Sequence, residues 1–454
     1  MNQTKPAASE NLSYILLLSL VAAFGGFLFG YDTAVVSGAI GFLKAHFQLS
    51  ADLTGWAASS MLVGCMAGAI AAGPLGDRIG RRWSLVFCGL LFGISSLGSA
   101  IPATLAQFAW SRFAGGVAIG AASILSPIYI AEIAPERLRG RLVALYQLAI
   151  VIGILIVFFV NLQIQRHGDD AWNVARGWRW MFASLVPPSL LFSFLMLLVP
   201  ESPRWLMKVG RRAAALGVLE KIGGAENARR EVASIEAALN LEEGRWSDLF
   251  ASGYFRALVV GALLAIFSQF SGINAIMYYG PEVFKASGST RDAAFTQTVT
   301  VGAINVLFTF VAIAFVDRAG RKPLLLIGTA VQTIAHIAIG WLFIKNISGT
   351  PLLMGILVFV GAFSMAMGPV SWIVNAEIFP TKLRGRAMAV SIFLLWLADW
   401  VVTQTFPMLQ EAVGPARTFW VYGGFSLLSL IFVAFMIPET KGKTLEEIEA
   451  NWRK

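Results

Sequence analysis

The chain has 454 residues, of which 57% are hydrophobic and only 13% are charged, and its mean hydropathy is +0.70. Soluble domains carry roughly a quarter charged residues, so this composition excludes an ordinary water-soluble protein and indicates an integral membrane protein. The formal net charge is +9, but the cations cluster at the ends of apolar stretches rather than on a polar face, which argues against nucleic acid as a partner.

The two cysteines and the first residues of the chain give no sign of a disulfide, a metal site or secretion. Cys65 and Cys88 both lie inside apolar stretches, where we expect them to fill space in the packing. Residues 1–13 are polar and mixed in charge, without the basic region, short apolar core and small-residue cleavage site of a signal peptide. We therefore expect no cleaved signal peptide, no metal and no cofactor.

Apolar stretches of about twenty residues, the length that a helix needs to cross roughly 30 Å of hydrocarbon, recur along the whole chain. In chain order they cover twelve ranges: 14–38, 53–74, 83–102, 104–128, 141–163, 178–199, 254–280, 296–316, 323–344, 351–375, 386–409 and 417–437. The predicted fold class is an all-α integral membrane protein with one transmembrane helix for each range.

One charged motif occurs twice, each time between two apolar stretches. Residues 76–82 read Gly-Asp-Arg-Ile-Gly-Arg-Arg and residues 317–322 read Asp-Arg-Ala-Gly-Arg-Lys, which places Asp77 and Asp317 240 residues apart. Two further pairs recur at offsets of 238 to 245 residues, namely 131–141 with 376–386 and 200–202 with 438–440. Such internal pairs indicate two parallel six-helix repeats. We divide the chain into a six-helix bundle (1–200), a cytoplasmic linker with short surface helices (201–253), and a second bundle with a short cytoplasmic tail (254–454).

Lys and Arg residues in the short loops predict the orientation in the membrane. Twelve of them fall on one side of the predicted spans: Arg78, Arg81, Arg82, Arg137, Arg139, Arg141, Arg318, Arg321, Lys322, Lys382, Arg384 and Arg386. Eight fall on the other side: Lys44, Arg166, Arg176, Arg179, Lys285, Arg291, Lys345 and Arg417. By the positive-inside rule, we expect the first side and both termini to face the cytoplasm.

Four motifs together resemble those of the sugar porters of the major facilitator superfamily. They are the motif at 76–82, Pro-Glu-Ser-Pro-Arg at 200, Gln-Phe-Ser-Gly-Ile-Asn at 269 and Pro-Glu-Thr-Lys-Gly at 438. The resemblance covers essentially the whole chain and is greatest to bacterial proton-coupled pentose and hexose symporters. It implies the major facilitator fold, a multi-pass protein of the plasma (inner) membrane, and a monosaccharide carrier that works by alternating access.

The charged loop motifs can form ion pairs between helix ends within each repeat. The candidates are Asp77, Arg81, Glu132, Arg139 and Glu201 in the first half, and Asp317, Arg321, Glu377, Arg384 and Glu439 in the second. The resemblance assigns these cytoplasmic ion pairs to stabilising the outward-open state. The alternative is that these charges determine topology and have no part in gating.

Asp32 lies within the first predicted span, where a carboxyl group is costly and is therefore a functional candidate. Arg112, in the fourth span, is its expected partner. In the symporters that this chain resembles, the matching aspartate is the proton-coupling site. A purely structural buried ion pair is the alternative.

Sugar hydroxyl groups are recognised by amides, hydroxyls and indoles, which combine hydrogen bonding with an apolar face. Asn274 and Tyr278 share one helical face, and Gln269 joins them only if the helix bends near Gly272. Gly368-Pro369 should similarly break the tenth span before Trp372. By resemblance, the sugar-contacting positions are Gln147, Gln269, Asn274, Asn305, Trp372 and Trp396, with Phe29 and Tyr278 lining the cavity. Core packing is the alternative for each of them.

Some cavity positions depart from the family pattern. Ser268, Ile154 and Leu395 replace polar residues found in relatives, which leaves the identity of the sugar open. Asp399 occupies a position that is usually asparagine and lies on the same helical face as Trp396. We expect it to hold a sugar hydroxyl, or else to titrate or to pair with a cation, in that order.

The function that we predict is proton-coupled symport of a hexose or pentose, with the sugar, the proton and the lipid bilayer as partners and with a monomer as the working unit. A facilitative uniporter is the first alternative, and a sugar sensor with the same fold is the second. An enzyme is not expected, because Gly116-x-x-x-Gly120 lies in an apolar span as a helix-packing pattern and no nucleophile with a base, or phosphate loop, is present.

Overall fold

The computed structural model describes residues 11–135, 137–239, 246–250, 254–379, 383–442 and 447, and the side chains of Ala238, Trp246 and Asp317 lie outside that description. The described ranges contain helices and no strand, so the predicted all-α class is confirmed. The helices are α1 Leu12–Phe47, α2 Ala51–Ile79, α3 Arg81–Ala100, α4 Leu105–Ile133, α5 Arg139–Arg166, α6 Asp170–Trp172, α7 Trp178–Ala183, α8 Val186–Leu198, α9 Pro203–Lys208, α10 Arg212–Leu239, α11 Tyr254–Phe270, α12 Ile273–Ala286, α13 Arg291–Ala319, α14 Arg321–Ile344, α15 Thr350–Met365, α16 Met367–Ile378 and α17 Arg384–Met436. A π-helical turn at Asn173–Gly177 and a 3₁₀ turn at Trp246–Phe250 complete them.

Eleven helical segments in the described part of the chain are long and apolar enough to cross a membrane. The predicted spans 386–409 and 417–437 both lie within α17, which runs for 53 residues and has non-helical backbone at Gly414, with φ 78° and ψ 164°. Pro415 follows directly and cannot donate a backbone hydrogen bond to the preceding turn. The twelve predicted spans are therefore all present, with the last two joined across this kink.

Two spans are interrupted near the middle. Gly272, with φ 80°, separates α11 from α12, at the bend that brings Gln269 toward Asn274. Ala366 separates α15 from α16, two residues before the predicted Gly368-Pro369 break. The earlier position has a simple cause, because Pro369 has no N–H to donate to the carbonyl of Met365 and the last turn of α15 opens there.

Corresponding tight turns join α2 to α3 and α13 to α14. Gly80 and Gly320 occupy these turns with φ of 91° and 92°, a conformation that L side chains rarely adopt. A Cβ at either glycine would also meet a carboxylate, that of Glu201 at 2.2 Å and that of Glu439 at 2.7 Å. Since neither turn has room for a side chain, the repeated motif requires glycine for a steric reason.

Small residues allow the helices to approach closely. A Cβ added at Gly116 would lie 1.8 Å from the Met61 carbonyl oxygen, and a Cβ added at Gly120 would lie 2.1 Å from the Cys65 carbonyl oxygen. The backbones of α2 and α4 are therefore in direct contact. Large apolar side chains cover the outer surface, including Leu17, Phe87 and Phe435, which are exposed. This reverses the usual surface of a soluble protein and suits a hydrocarbon environment.

The helix bundle has two ends. The cationic side is the end with the Gly80 and Gly320 turns, and the opposite side is the end with the turns at Gln48 and Ser287. The helices before residue 200 meet those after residue 254 where α1 contacts α12, α2 contacts α17 and α5 contacts α13.

The described part of the predicted linker contains α9 and α10, while residues 240–245 and 251–253 lie outside the description. The N–H of Asn11 donates a hydrogen bond to the Ile222 carbonyl at 2.9 Å, so α10 packs beside the start of α1. Several α10 side chains are exposed, as expected for a surface helix.

Candidate functional site

A buried ion pair joins α1 to α4. Asp32 is 1% exposed and Arg112 is 0% exposed, and the guanidinium donates to the Asp32 carboxylate and, at 2.9 Å, to the Asp32 carbonyl. The same guanidinium contacts the sulfur of Met61 and lies 5.2 Å from the centre of the Phe182 ring. Small residues make room for the pair, since a Cβ added at Gly115 would lie 3.0 Å from the second Asp32 oxygen.

A second polar cluster lies where α11, α12 and α17 meet. Asn274 Nδ2 donates to Gln269 Oε1 at 2.7 Å, a contact that the break at Gly272 makes possible. The Tyr278 hydroxyl donates to Asp399 at 3.3 Å, Thr403 donates to the other Asp399 oxygen at 3.1 Å, and the Asn274 amide also hydrogen-bonds to Asp399. Four of the predicted sugar-site residues are therefore brought together by direct contacts.

The two clusters are neighbours. Cys65, on α2, lies within electrostatic range of Asp32, Arg112 and Asp399 at once. Phe29, three residues before Asp32 on α1, packs on Trp396 of α17 with ring centroids 5.6 Å apart. The ion pair and the polar cluster therefore face a shared region between the two halves of the chain.

The remaining predicted sugar-site residues lie farther from these contacts. Asn305 on α13 accepts a hydrogen bond from Ser364 at 2.7 Å. Gln147 is half-buried and makes no hydrogen bond to another described residue. Trp372 is 36% exposed and lines a cavity on the cationic side of α11, α16 and α17. The other residues lining that cavity are Ala265, Ser371, Asn375, Met388, Ser391, Ile392 and Leu395.

Two contributors to this region were not predicted from the sequence. Thr403, four residues after Asp399, could have been found from helical spacing, because residues four apart share a face. Asn375 lines the cavity beside Trp372, and its side-chain oxygen is buried without a hydrogen-bond partner among the described residues. Asn375 could have been found from the sequence, because an amide inside an apolar stretch is costly and therefore marks a functional candidate.

Charged residues form a compact network on the cationic side of the first half. Arg81 pairs with Glu132 of α4 at 3.1 Å and with Asp77 at 3.2 Å. Glu201 accepts hydrogen bonds from the backbone N–H groups of Arg81 and Arg82, at 2.9 and 3.1 Å. Burial raises the pKa of Glu201, although these backbone donors oppose the shift.

The second half repeats the network. Arg321 pairs with Glu377 at 3.0 Å, and Glu439 accepts hydrogen bonds from the backbone N–H groups of Arg321 and Lys322, both at 3.1 Å. Burial acts to raise the pKa of Glu439, but the backbone donors outweigh it, so this pKa is lowered. Thr440 donates to Glu377 at 2.6 Å, as Ser202 does to Glu132 in the first half.

The other three predicted members lie at the cationic-side ends of their helices. Arg139 begins α5, is exposed, and forms no ion pair with another described residue. Arg384 begins α17 and is half-buried. Asp317 lies in α13, but its side chain is outside the description.

Two ion pairs on the opposite side join the two halves. Arg166, at the end of α5, donates two hydrogen bonds to Asp292 of α13, at 2.6 and 2.8 Å, and Gln165 donates a third at 3.0 Å. Arg291 pairs with Asp170. On the cationic side, Arg81 pairs with Asp77 and Glu132, and Arg321 pairs with Glu377, each within its own half. This conformation is therefore closed on the opposite side.

The Ser59 hydroxyl also donates to Gln404 at 2.8 Å, which ties α2 to α17 near the opposite side. The Gln404 amide in turn donates to the Asp52 carbonyl at 2.9 Å. Close approach is required here, because a Cβ at Gly55 would lie 2.2 Å from the Gln404 carbonyl oxygen.

Solved structures of known proteins have this fold. The inward-open xylose transporter of E. coli matches with a TM-score of 0.87 and 41% identity, over 96% of this chain and 100% of that chain. The proton:xylose symporter bound to 6-bromo-6-deoxy-D-glucose matches with a TM-score of 0.81 and 42% identity, over 97% and 100%.

Sequence comparison agrees with the structural one. An arabinose-proton symporter of Bacillus subtilis (strain 168) is 44% identical over 448 residues, which cover 98% of this chain and 97% of that protein. A D-xylose-proton symporter of Escherichia coli (strain K12) is 42% identical over 474 residues, covering 97% and 96%. The family model described as "Sugar (and other) transporter" matches residues 18–452. The chain therefore belongs to the sugar transporter family and has the major facilitator fold.

Proposed function

We propose that the protein is a secondary active transporter that carries a monosaccharide together with a proton by alternating access. The observation that carries this proposal is the buried Asp32–Arg112 pair, which shares a region with the amide and aromatic cluster of α11, α12 and α17. An acid that can gain a proton beside a sugar-binding cavity links the two events. Symport of arabinose and of xylose by relatives that are 44% and 42% identical supports a pentose as the substrate.

The described conformation corresponds to one end of the transport cycle. The opposite side is closed by the Arg166–Asp292 pair, and the Trp372 cavity lies on the cationic side. With the cationic side facing the cytoplasm, as proposed, this is an inward-facing carrier. In the outward-facing state, we expect the two halves to meet on the cationic side. The networks around Arg81 and Arg321 would then stabilise that state by holding the helix ends in each half in fixed positions.

The domain limits 1–200, 201–253 and 254–454, the monomeric state and the location in the plasma membrane with cytoplasmic termini are parts of the same proposal. The twofold network supports the domain limits, and the excess of cations at the turns of the cationic side supports the orientation. No enzymatic step is proposed, because the matching family and relatives are transporters.

The orientation can be tested by labelling single cysteines in intact cells. Ala45→Cys, at the exposed end of α1, should react with an impermeant thiol reagent, whereas Glu220→Cys, exposed on α10, should react only after the cells are opened. The unmodified protein is the control, since Cys65 and Cys88 are both buried. Labelling of Glu220→Cys in intact cells would reverse the proposed orientation.

Alternating access predicts that weakening the ion pairs of the opposite side favours the outward-open state. Asp292→Asn removes the charge that Arg166 and Gln165 bind, and since this pair is screened by water, we expect a small effect, up to roughly fivefold in the ratio of states. Ser37→Cys, buried against α12, reports on the change. Its labelling from outside should rise by that factor.

The matched control is Glu236→Gln, which removes a charged partner of Arg212 within the surface helix α10. It should leave the labelling of Ser37→Cys unchanged. Equal labelling with and without Asp292→Asn would show that this ion pair does not hold the opposite side closed.

The function itself is tested by uptake into proteoliposomes. Xylose, arabinose and glucose, each radiolabelled, are compared with and without an inward proton gradient. Gradient-driven accumulation supports symport, while uptake that only equilibrates indicates a uniporter. Binding without uptake would indicate a sensor.

A further inference from the structure

The buried charged groups of the core do not balance. Among the described residues, the carboxyl and guanidinium side chains that are almost fully buried are Asp32, Asp399 and Arg112, at 1%, 1% and 0% exposure. Arg112 pairs with Asp32, which leaves Asp399 without a cation. If both acids were ionised, the core would carry a net negative charge, which is unfavourable far from water.

Asp399 instead faces hydrogen-bond donors. Its two oxygens accept from Tyr278 at 3.3 Å and from Thr403 at 3.1 Å, and Asn274 provides a further donor. The titratable groups that interact with it are Tyr278 and Tyr279 from α12 and Cys65 from α2, and phenol and thiol groups are uncharged at neutral pH by their ordinary pKa values. His336 is also fully buried, and its ring packs against those of Phe359, Phe419 and Tyr422.

Two of these donors belong to the predicted sugar site. When Asp399 is ionised, Tyr278 and Asn274 direct hydrogens toward the carboxylate and have fewer to offer a sugar oxygen. When Asp399 is protonated, its O–H can donate to the Tyr278 oxygen, and the Tyr278 hydrogen is free to turn toward the cavity. The proton on Asp399 thus determines the direction of the hydrogen bonds at the sugar site.

We propose that Asp399 is a second proton-binding carboxyl, distinct from Asp32, whose protonation makes the donors of Tyr278 and Asn274 available to the sugar. This inference rests on the proposed function, because it assigns a role within the same sugar site. Sugar binding and protonation of Asp399 then favour each other. The affinity for the sugar should fall as the pH rises through the titration of Asp399.

The test uses Asp399→Asn, which has nearly the same shape, donates a hydrogen bond and cannot ionise. Binding of xylose and of arabinose is measured by calorimetry across a range of pH. The wild-type affinity for the sugar should fall about three- to tenfold from low to high pH, which corresponds to the free energy of one or two hydrogen bonds. The variant should keep the low-pH affinity throughout. Glu236→Gln, which neutralises a surface acid of α10 outside the site, is the control and should keep the wild-type pH dependence.

A second variant keeps the acid. Thr403→Val removes a donor that stabilises ionised Asp399, so the midpoint of the affinity change should move upward by about one pH unit. An unchanged midpoint in this variant, or a wild-type pH dependence in Asp399→Asn, would overturn the proposal.

Infrared difference spectra provide a readout that needs no sugar. The carboxylic-acid C=O band of the wild type should lose one component in Asp399→Asn, and it should keep that component in Asp32→Asn. If the wild type binds none of the sugars, the proposed function fails, while this band still reports whether Asp399 holds a proton. Absence of the component would overturn the inference even if transport is normal.

Discussion

Asp32→Asn should abolish the accumulation of sugar against a gradient while sparing sugar binding. The substitution keeps the shape of the side chain but removes the charge that holds Arg112, so the variant behaves as if permanently protonated. Each proton that moves through about 100 mV supplies roughly 2.3 kcal/mol, close to a fiftyfold concentration ratio. Sugar accumulation in proteoliposomes should therefore fall from about fiftyfold to simple equilibration.

Asp399→Asn is the matched comparison, because it neutralises an equally buried acid at the edge of the same region. It should retain accumulation driven by the proton gradient. Wild-type accumulation in Asp32→Asn would shift the coupling role toward Asp399, and complete loss of sugar binding would instead indicate a structural ion pair. Counterflow exchange separates these outcomes, since it needs binding and turnover but no proton gradient.

Gln269→Ala and Asn274→Ala should each weaken sugar binding by about 1–3 kcal/mol, or roughly 5- to 150-fold in Kd. The two amides contact each other across the break at Gly272, so either truncation leaves a polar group without its partner and removes a group that can bind a sugar hydroxyl. Binding of xylose and arabinose to the purified protein provides the measurement.

Gln332→Ala is the control for this pair. It removes a buried amide from α14, away from the α11–α12 break. Its sugar affinity should match the wild type, and the thermal unfolding of all three variants shows whether they fold. Unchanged affinity in both Gln269→Ala and Asn274→Ala would place the sugar elsewhere.

The twofold network on the cationic side explains why each half uses the same residue types. A carboxylate at Glu201 or Glu439 accepts from the N–H groups at the start of a helix, where the helix dipole favours negative charge. A second carboxylate, Glu132 or Glu377, binds the arginine that follows the glycine turn. The pKa of Glu201 is nevertheless raised while that of Glu439 is lowered, because burial weighs more heavily in the first half.

The sequence alone determined the fold class, the spans and their duplication. A helix that crosses lipid must satisfy its own backbone hydrogen bonds and present apolar side chains, so composition and length are sufficient to locate it. The breaks near Gly272 and before Pro369 were also visible, because they follow from local backbone chemistry. The exception is the kink at Gly414, where two predicted spans run on as one helix.

Contacts between distant segments could be decided only by the tertiary structure. Arg166 and Asp292 are ordinary loop-end charges in the sequence, and they meet because α5 and α13 come together on the opposite side in this conformation. The surroundings of Asp399 likewise depend on how α17 packs against α12 and α2. A carboxyl group in an apolar stretch is energetically costly wherever it lies, so the sequence identified Asp399 as a candidate. Whether a cation or a set of neutral donors stabilises that carboxyl group depends on helix packing, which local residue patterns do not specify.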